Sequence, residues 1–147
     1  MSDPFFADRD WLGRVVSFSP APSDSWRLED KLSEKVDQKD EYQWHVRSKV
    51  SVAWATFACS NEVDGRAAIM KVRMQIPYKG TGHSAPNVRA EQASRELGFL
   101  AKTELNALRQ LTQAGCSSAP RLLSYKQEQQ THNMSSTGGV FLAYGCI

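Results

Sequence analysis

Residues 96–111 read ELGFLAKTELNALRQL, and their apolar side chains recur at steps of three and four. This spacing places them on one face of a helix, which is predicted to run over residues 88–113. Glu104 lies near the centre of that apolar face, between Leu97 and Leu108. Because a buried carboxylate is costly without a cation, the sequence predicts a positively charged partner for Glu104.

The best cation for Glu104 is Lys71, which lies in the run AAIMKVRMQI of residues 67–76. Alternate residues of this run are apolar, as in a strand with one buried face. The apolar set is Ala68, Met70, Val72, Met74 and Ile76. Lys71 therefore points to the other side of the strand, together with Ile69 and Arg73. The sequence predicts an ion pair that joins this strand to the helix.

Other strands are predicted around these two elements. Asp64-Gly65 is a hairpin signal, so residues 50–60 and 66–76 are predicted to form an antiparallel pair. Tyr42, Trp44 and Val46 alternate with polar residues, which indicates a strand from Glu41. Residues 121–126 and 140–144 read as two short strands, and Gly115 as the left-handed cap that ends the helix. The order predicts an α+β domain: a five-stranded, mainly antiparallel sheet with one long helix packed on it.

The first 40 residues are predicted to form an N-terminal extension, and residues 41–147 the domain itself. Residues 1–24 read as a loosely ordered arm with one helical turn at residues 8–14 and a Pro/Ser-rich break near its end. The aromatic residues of this arm are expected either to pack over the sheet or to stay disordered. Residues 25–40 are strongly charged, and four apolar residues could share a narrow helical face. A short, solvent-facing helix is therefore expected there. The four are Trp26, Leu28, Leu32 and Val36.

Composition excludes several classes of function. A net charge of +2 with 23% charged residues gives no electrostatic case for nucleic acid or a membrane surface. Three scattered cysteines share no ligand spacing with the three histidines, so no metal site is expected. The cysteines are expected to be reduced thiols in a cytoplasmic or nuclear protein, since the polar N-terminus is no secretory signal. The cysteines are Cys59, Cys116 and Cys146.

Four segments after Val50 resemble the small lobe of the fungal protein-kinase-like proteins. They are IMKVRMQIPY at residues 69–78, TELNAL at 103–108, CSSAPRLL at 116–123 and NMSSTGG at 133–139. The resemblance implies that Lys71 is the phosphate-contacting lysine and Glu104 its helix partner. It also implies that Ile69 stands where an alanine usually roofs the adenine, so that ATP is the nucleotide to consider.

The departures from that family are as informative as the matches. The segment at residues 49–54, where a glycine-rich loop would cover phosphates, has no glycine. The chain is expected to be truncated before the hinge and large lobe, and it contains neither a His-Arg-Asp-type nor an Asp-Phe-Gly-type motif. Phosphoryl transfer needs those groups, so the chain is not expected to be an enzyme on its own. No catalytic residue is assigned.

Two functions remain open. The first is a catalytically inert, pseudokinase-like small lobe that serves as a protein interaction or binding module and needs no cofactor. The apolar strand at residues 140–147 is then expected to expose a face that binds another protein or a second copy. The second is the ATP-binding half of a kinase-like phosphotransferase, completed by another chain or by a longer gene product. In the first case, Lys71 and Glu104 only join helix to sheet.

Overall fold

The computed structural model describes residues 5–47, 49–79, 99–129 and 140–146. It is an α+β structure built on one antiparallel sheet, which confirms the predicted class. The described strands number six, one more than predicted, and their spatial order is β1-β2-β3-β4-β6-β5. The strands are β1 Val15–Ser17, β2 Ser25–Asp37, β3 Ser51–Asn61, β4 Ala67–Ile76, β5 Leu122–Gln129 and β6 Val140–Cys146. The helices are α1 Asp8–Trp11, a 3-10 turn at Pro22–Asp24, α2 Glu41–Arg47 and α3 Phe99–Gln113.

The predicted hairpin is confirmed, and it forms the centre of the sheet. β3 pairs antiparallel with β4 from Ser60 opposite Ala67 to Ser51 opposite Ile76. At the tip, the Asn61 side-chain oxygen accepts the backbone N–H groups of Val63 and Asp64. Gly65 completes the turn at φ 73°, a left-handed conformation that glycine adopts without strain. Local turn chemistry therefore sets the register of the two strands that carry most of the core.

The helix expected over residues 25–40 is wrong, because this segment forms the long strand β2. Two register shifts interrupt its pairing with β3, and they leave Glu29 and Leu32 as bulge residues. The residues that lie opposite buried positions of β3 are consequently Trp26, Leu28, Lys31, Glu34 and Val36. Of the four apolar residues that suggested a helical face, Trp26 and Leu28 are buried, whereas Leu32 and Val36 are 56% and 46% exposed, so their helical spacing does not mark one buried face.

The strand expected from Glu41 is also wrong, because residues 41–47 form α2. A reciprocal capping box begins this helix. The Asp40 carboxylate accepts the N–H of Gln43 at 2.8 Å, and the Gln43 side chain accepts the N–H of Asp40 at 3.0 Å. This signal is visible in the sequence, and it outweighs the short alternation of Tyr42, Trp44 and Val46.

The described aromatic residues of the N-terminal arm pack into the main core, which is the first of the two outcomes expected for them, and the arm is not loosely ordered there. The helical turn predicted at residues 8–14 is present as α1. Phe6 is fully buried, and its ring lies 4.9 Å from that of Trp11 and 6.2 Å from that of Phe57 in β3. Residues of the predicted extension therefore cover the same face of the sheet to which the hairpin contributes.

Charged side chains of β2 hold this covering segment in place. The Lys31 ammonium donates to the backbone carbonyl of Phe6 at 3.0 Å and to Glu34 at 3.1 Å, and Glu34 accepts the N–H of Phe5. Burial lowers the pKa of Lys31, but hydrogen bonds to Glu34 and Asp8 more than offset it and raise the pKa above 10.5. A raised lysine pKa stabilises the fold below pH 10.5, and that contribution is lost as the pH rises through the folded pKa.

The C-terminal end of α3 matches its prediction. Gly115 takes φ 71°, its N–H donates to Thr112, and the N–H of Cys116 donates to Leu111, which together form a Schellman cap. The predicted start of this helix, before residue 99, lies outside the described residues. The strand predicted at residues 121–126 is present as β5, which extends three residues further, to Gln129.

Candidate functional site

The predicted pair of Lys71 and Glu104 is formed. The Lys71 ammonium donates to both oxygens of the Glu104 carboxylate, at 3.0 and 3.1 Å. Lys71 reaches α3 because it alternates with the buried residues Met70 and Val72, so it leaves β4 on the face opposite the main core. Glu104 reaches the sheet because Ala101 and Leu105, beside it on α3, are buried in a small second cluster. The pair joins helix to sheet.

Arg73 is a second cation that contacts Glu104. The spacing of residues in the sequence does not by itself predict this contact. Its guanidinium donates to the same carboxylate at 2.9 Å and stacks over the ring of Trp54 in β3, 4.9 Å from its centroid. The available signal was its position two residues after Lys71, on the same strand face. Two cations thus meet one carboxylate, and among the described residues the cluster carries an excess of one positive charge. The Arg73 Nε is buried without a hydrogen-bond partner among the described residues.

The cluster is half-buried. The side chains of Lys71, Arg73 and Glu104 are 21%, 13% and 34% exposed. Ion pairs in such positions are screened less than those on an open surface, and their charges are less desolvated than those of fully buried pairs. The geometry can therefore fix α3 against β4. It can also attract an anion, since its net charge is positive.

Ile69, the third residue carried over from the kinase resemblance, lies on the same strand two residues before Lys71 and is 41% exposed. This exposure leaves an apolar surface beside the cation cluster. A cavity of the described structure lies elsewhere, and its lining includes none of Ile69, Lys71 and Glu104. The structure thus brings Lys71 and Glu104 together and places Ile69 beside them on an open surface.

Within the glycine-free segment at residues 49–54, residues 51–54 belong to β3, in agreement with the strand predicted over residues 50–60. The connection between the two strands that precede β4 is residues 38–50, which contain α2 and no glycine. The ring of His45 in α2 lies 5.8 Å from that of Tyr78, just after β4. A helix therefore occupies this connection, where a kinase would have a flexible loop of backbone N–H donors.

Other reactive groups of the described residues form no site. They contain no cluster of three or more histidines, cysteines or acids that could hold a metal ion. Burial raises the pKa of the Cys59 thiol to about 11, so it stays protonated and unreactive at neutral pH, whereas Cys116 is exposed. Among the described helices, none has both the length and the apolar character that crossing a membrane requires.

Comparisons of the chain with protein-family models, with curated proteins and with solved structures found no match. By its own geometry, the protein is an α+β domain in which a half-buried ionic cluster joins an antiparallel sheet to a helix.

Proposed function

We propose that the chain is a kinase-like small lobe that acts as a binding module and not as a phosphotransferase. The observation that carries this proposal is the bond between Lys71 and Glu104. Counted from β2 among the described elements, Lys71 lies in the third strand, Glu104 lies in the next helix, and two strands come after that helix. Kinases place their phosphate-organising lysine and its glutamate partner in these elements.

Three features favour binding over catalysis. The connection at residues 38–50 has no glycine that would let backbone N–H groups approach phosphates. Ile69 replaces the small residue that usually leaves room for adenine. The 147 residues also contain neither the His-Arg-Asp nor the Asp-Phe-Gly motif that supplies the catalytic base and the metal ligand.

The proposed partner is another protein or a second copy of this chain. β6 is paired on one side with β4 and on the other with β5, so a partner cannot add a strand to it and must contact its face. Exposed Ile69 lies opposite Cys146 in the register and offers an apolar contact beside that face. A cytoplasmic or nuclear location is part of the proposal, since Cys59 and Cys116 are free thiols.

The alternative is the ATP-binding half of a phosphotransferase completed by other residues. The excess positive charge that Arg73 adds to the cluster is the observation in its favour. In that case Lys71 would turn from Glu104 towards phosphate oxygens, while Arg73 would keep the carboxylate neutralised.

Thermal unfolding with and without ATP and magnesium separates the two functions. A binding module of the proposed kind should melt at the same temperature in both conditions, because a ligand that does not bind the folded state cannot stabilise it. Lys71→Ala should not change this result.

A reproducible rise in melting temperature would instead support the ATP-binding alternative, provided that Lys71→Ala abolishes it. The matched control is Lys102→Ala, which removes an exposed lysine from α3 without touching the cluster. A rise that both variants abolish, or neither, would indicate non-specific binding of ATP and support neither function.

Size-exclusion chromatography with light scattering tests the partner surface. For a self-associating module we expect the average mass to rise with concentration, and Ile69→Glu to reduce that rise by placing a charge on the proposed surface. The control is Val63→Glu, which puts the same charge on the exposed tip of the β3–β4 hairpin. A constant monomer mass at all concentrations would contradict self-association, and binding of a different protein would then have to be shown directly.

A further inference from the structure

The two edges of the sheet approach each other. β1 and β5 stand at opposite ends of the strand order, yet the Ser124 hydroxyl of β5 donates to the carboxylate of Asp24, between β1 and β2, at 2.8 Å. Leu123 and Phe18 both pack against the main core from these two sides. The sheet therefore curls towards closure, but no ladder between β1 and β5 is present among the described strands.

A cavity of about 420 Å³ lies at this seam. Its walls come from the β1–β2 connection, the last turns of α3 and the first half of β5. The volume falls within the range of roughly 300–1,000 Å³ that is usual for small-molecule sites. The lining residues that matter here are Phe18, Asp24, Arg109, Leu122, Ser124 and Tyr125.

The cavity carries one cation whose hydrogen-bonding capacity is available. Arg109 lies with its guanidinium over the ring of Tyr125, 5.2 Å from its centroid, and it makes no hydrogen bond or ion pair with the described residues. Stacking orients the guanidinium plane and leaves its N–H groups at the edge, in the fork geometry that fits a carboxylate.

The opposite charge in the cavity is Asp24, whose position is set by its bond from Ser124. One carboxylate oxygen accepts that bond, and the other can accept a bond from a ligand. A ligand that carried only a carboxylate would be attracted by Arg109 and repelled by Asp24. An occupant with an ammonium group as well would satisfy both residues, and an apolar body would fit against Phe18 and Leu122.

The seam is too narrow for a peptide strand. Neighbouring strands lie about 4.8 Å apart, so an inserted strand needs about twice that separation between its two neighbours. The direct bond between the side chains of Ser124 and Asp24 does not leave such a gap. The occupant must therefore be a small molecule beside that bond.

We infer that this cavity binds a small zwitterion, an α-amino acid with an apolar side chain, whose carboxylate meets Arg109 and whose ammonium group meets Asp24. This site lies apart from the cluster of Lys71 and Glu104, and the inference does not depend on the kinase resemblance.

NMR titration of the full chain tests the site with three probes: L-phenylalanine, 3-phenylpropanoate without the ammonium group, and 2-phenylethylamine without the carboxylate. L-phenylalanine should shift the amide signals of residues 122–125 in a saturable manner. Each of the other two probes should bind about tenfold more weakly, since each loses one hydrogen bond to a charged group.

Arg109→Gln should weaken the binding of L-phenylalanine about tenfold. Lys102→Gln, which removes an exposed cation from the same helix, should leave the affinity unchanged. Asp24→Asn is a second variant, because asparagine can still accept the hydrogen bond from Ser124 but carries no charge. It too should weaken the binding of L-phenylalanine. The proposal is overturned by the absence of a saturable shift, by equal affinity for all three probes, or by unchanged binding in a folded Arg109→Gln variant.

Discussion

Phe6→Ala is expected to lower the free energy of unfolding by about 3–5 kcal/mol, the range for removing a large buried aromatic side chain. Phe6 is fully buried and contacts the rings of Trp11 and Phe57. Its replacement leaves a cavity between α1 and β3, which the surrounding rings can only partly fill. Urea unfolding followed by tryptophan fluorescence would measure the loss.

The matched control is Tyr42→Ala, which truncates an aromatic side chain that is 58% exposed on α2. Its effect should stay within about 0.5 kcal/mol. Phe6→Leu should lose less than Phe6→Ala, because leucine refills part of the volume. Equal stability of Phe6→Ala and the parent chain would mean that the N-terminal segment does not cover the core, and the loosely ordered arm expected from the sequence would then be correct.

Glu104→Ala is expected to cost about 2–3 kcal/mol, somewhat less than breaking a fully buried ion pair because the cluster is partly exposed. The loss leaves Lys71 and Arg73 facing each other without the carboxylate that both contact. Lys71→Met should cost only about 1 kcal/mol, because Glu104 keeps its bond from Arg73. Chemical denaturation of the two single variants would show this asymmetry.

Glu128→Ala is the control for this series. It removes a carboxylate from β5 that pairs with Lys126 at 3.2 Å and is largely exposed, so it should cost less than about 1 kcal/mol. If Glu104→Ala is no less stable than Glu128→Ala, the ionic cluster does not stabilise the packing of α3 on the sheet. The kinase analogy would then lose its only geometric support.

Elements with strong local signals could be predicted from the sequence. The Asp64-Gly65 turn, the alternation along β4 and the glycine after α3 each specify backbone conformation within a few residues. The partnership of Lys71 and Glu104 was also predictable, because a charge on an otherwise apolar helix face needs a cation nearby. Arg73 was not assigned as a second partner, since sharing a strand face does not say how far a long side chain reaches.

The sequence by itself determined the central hairpin, the end of α3 and the ionic link between them, because turn chemistry, glycine conformation and the cost of a buried charge act locally or through one pair. Tertiary structure alone decided that residues 25–37 form a strand, that Phe6 and Trp11 cover the core, and that the sheet curls until Ser124 meets Asp24. The spacing of the apolar residues in β2 resembles that of a helix, and only the pairing of β2 with β3 resolves that ambiguity. Such long-range pairing leaves no periodic trace in a single segment.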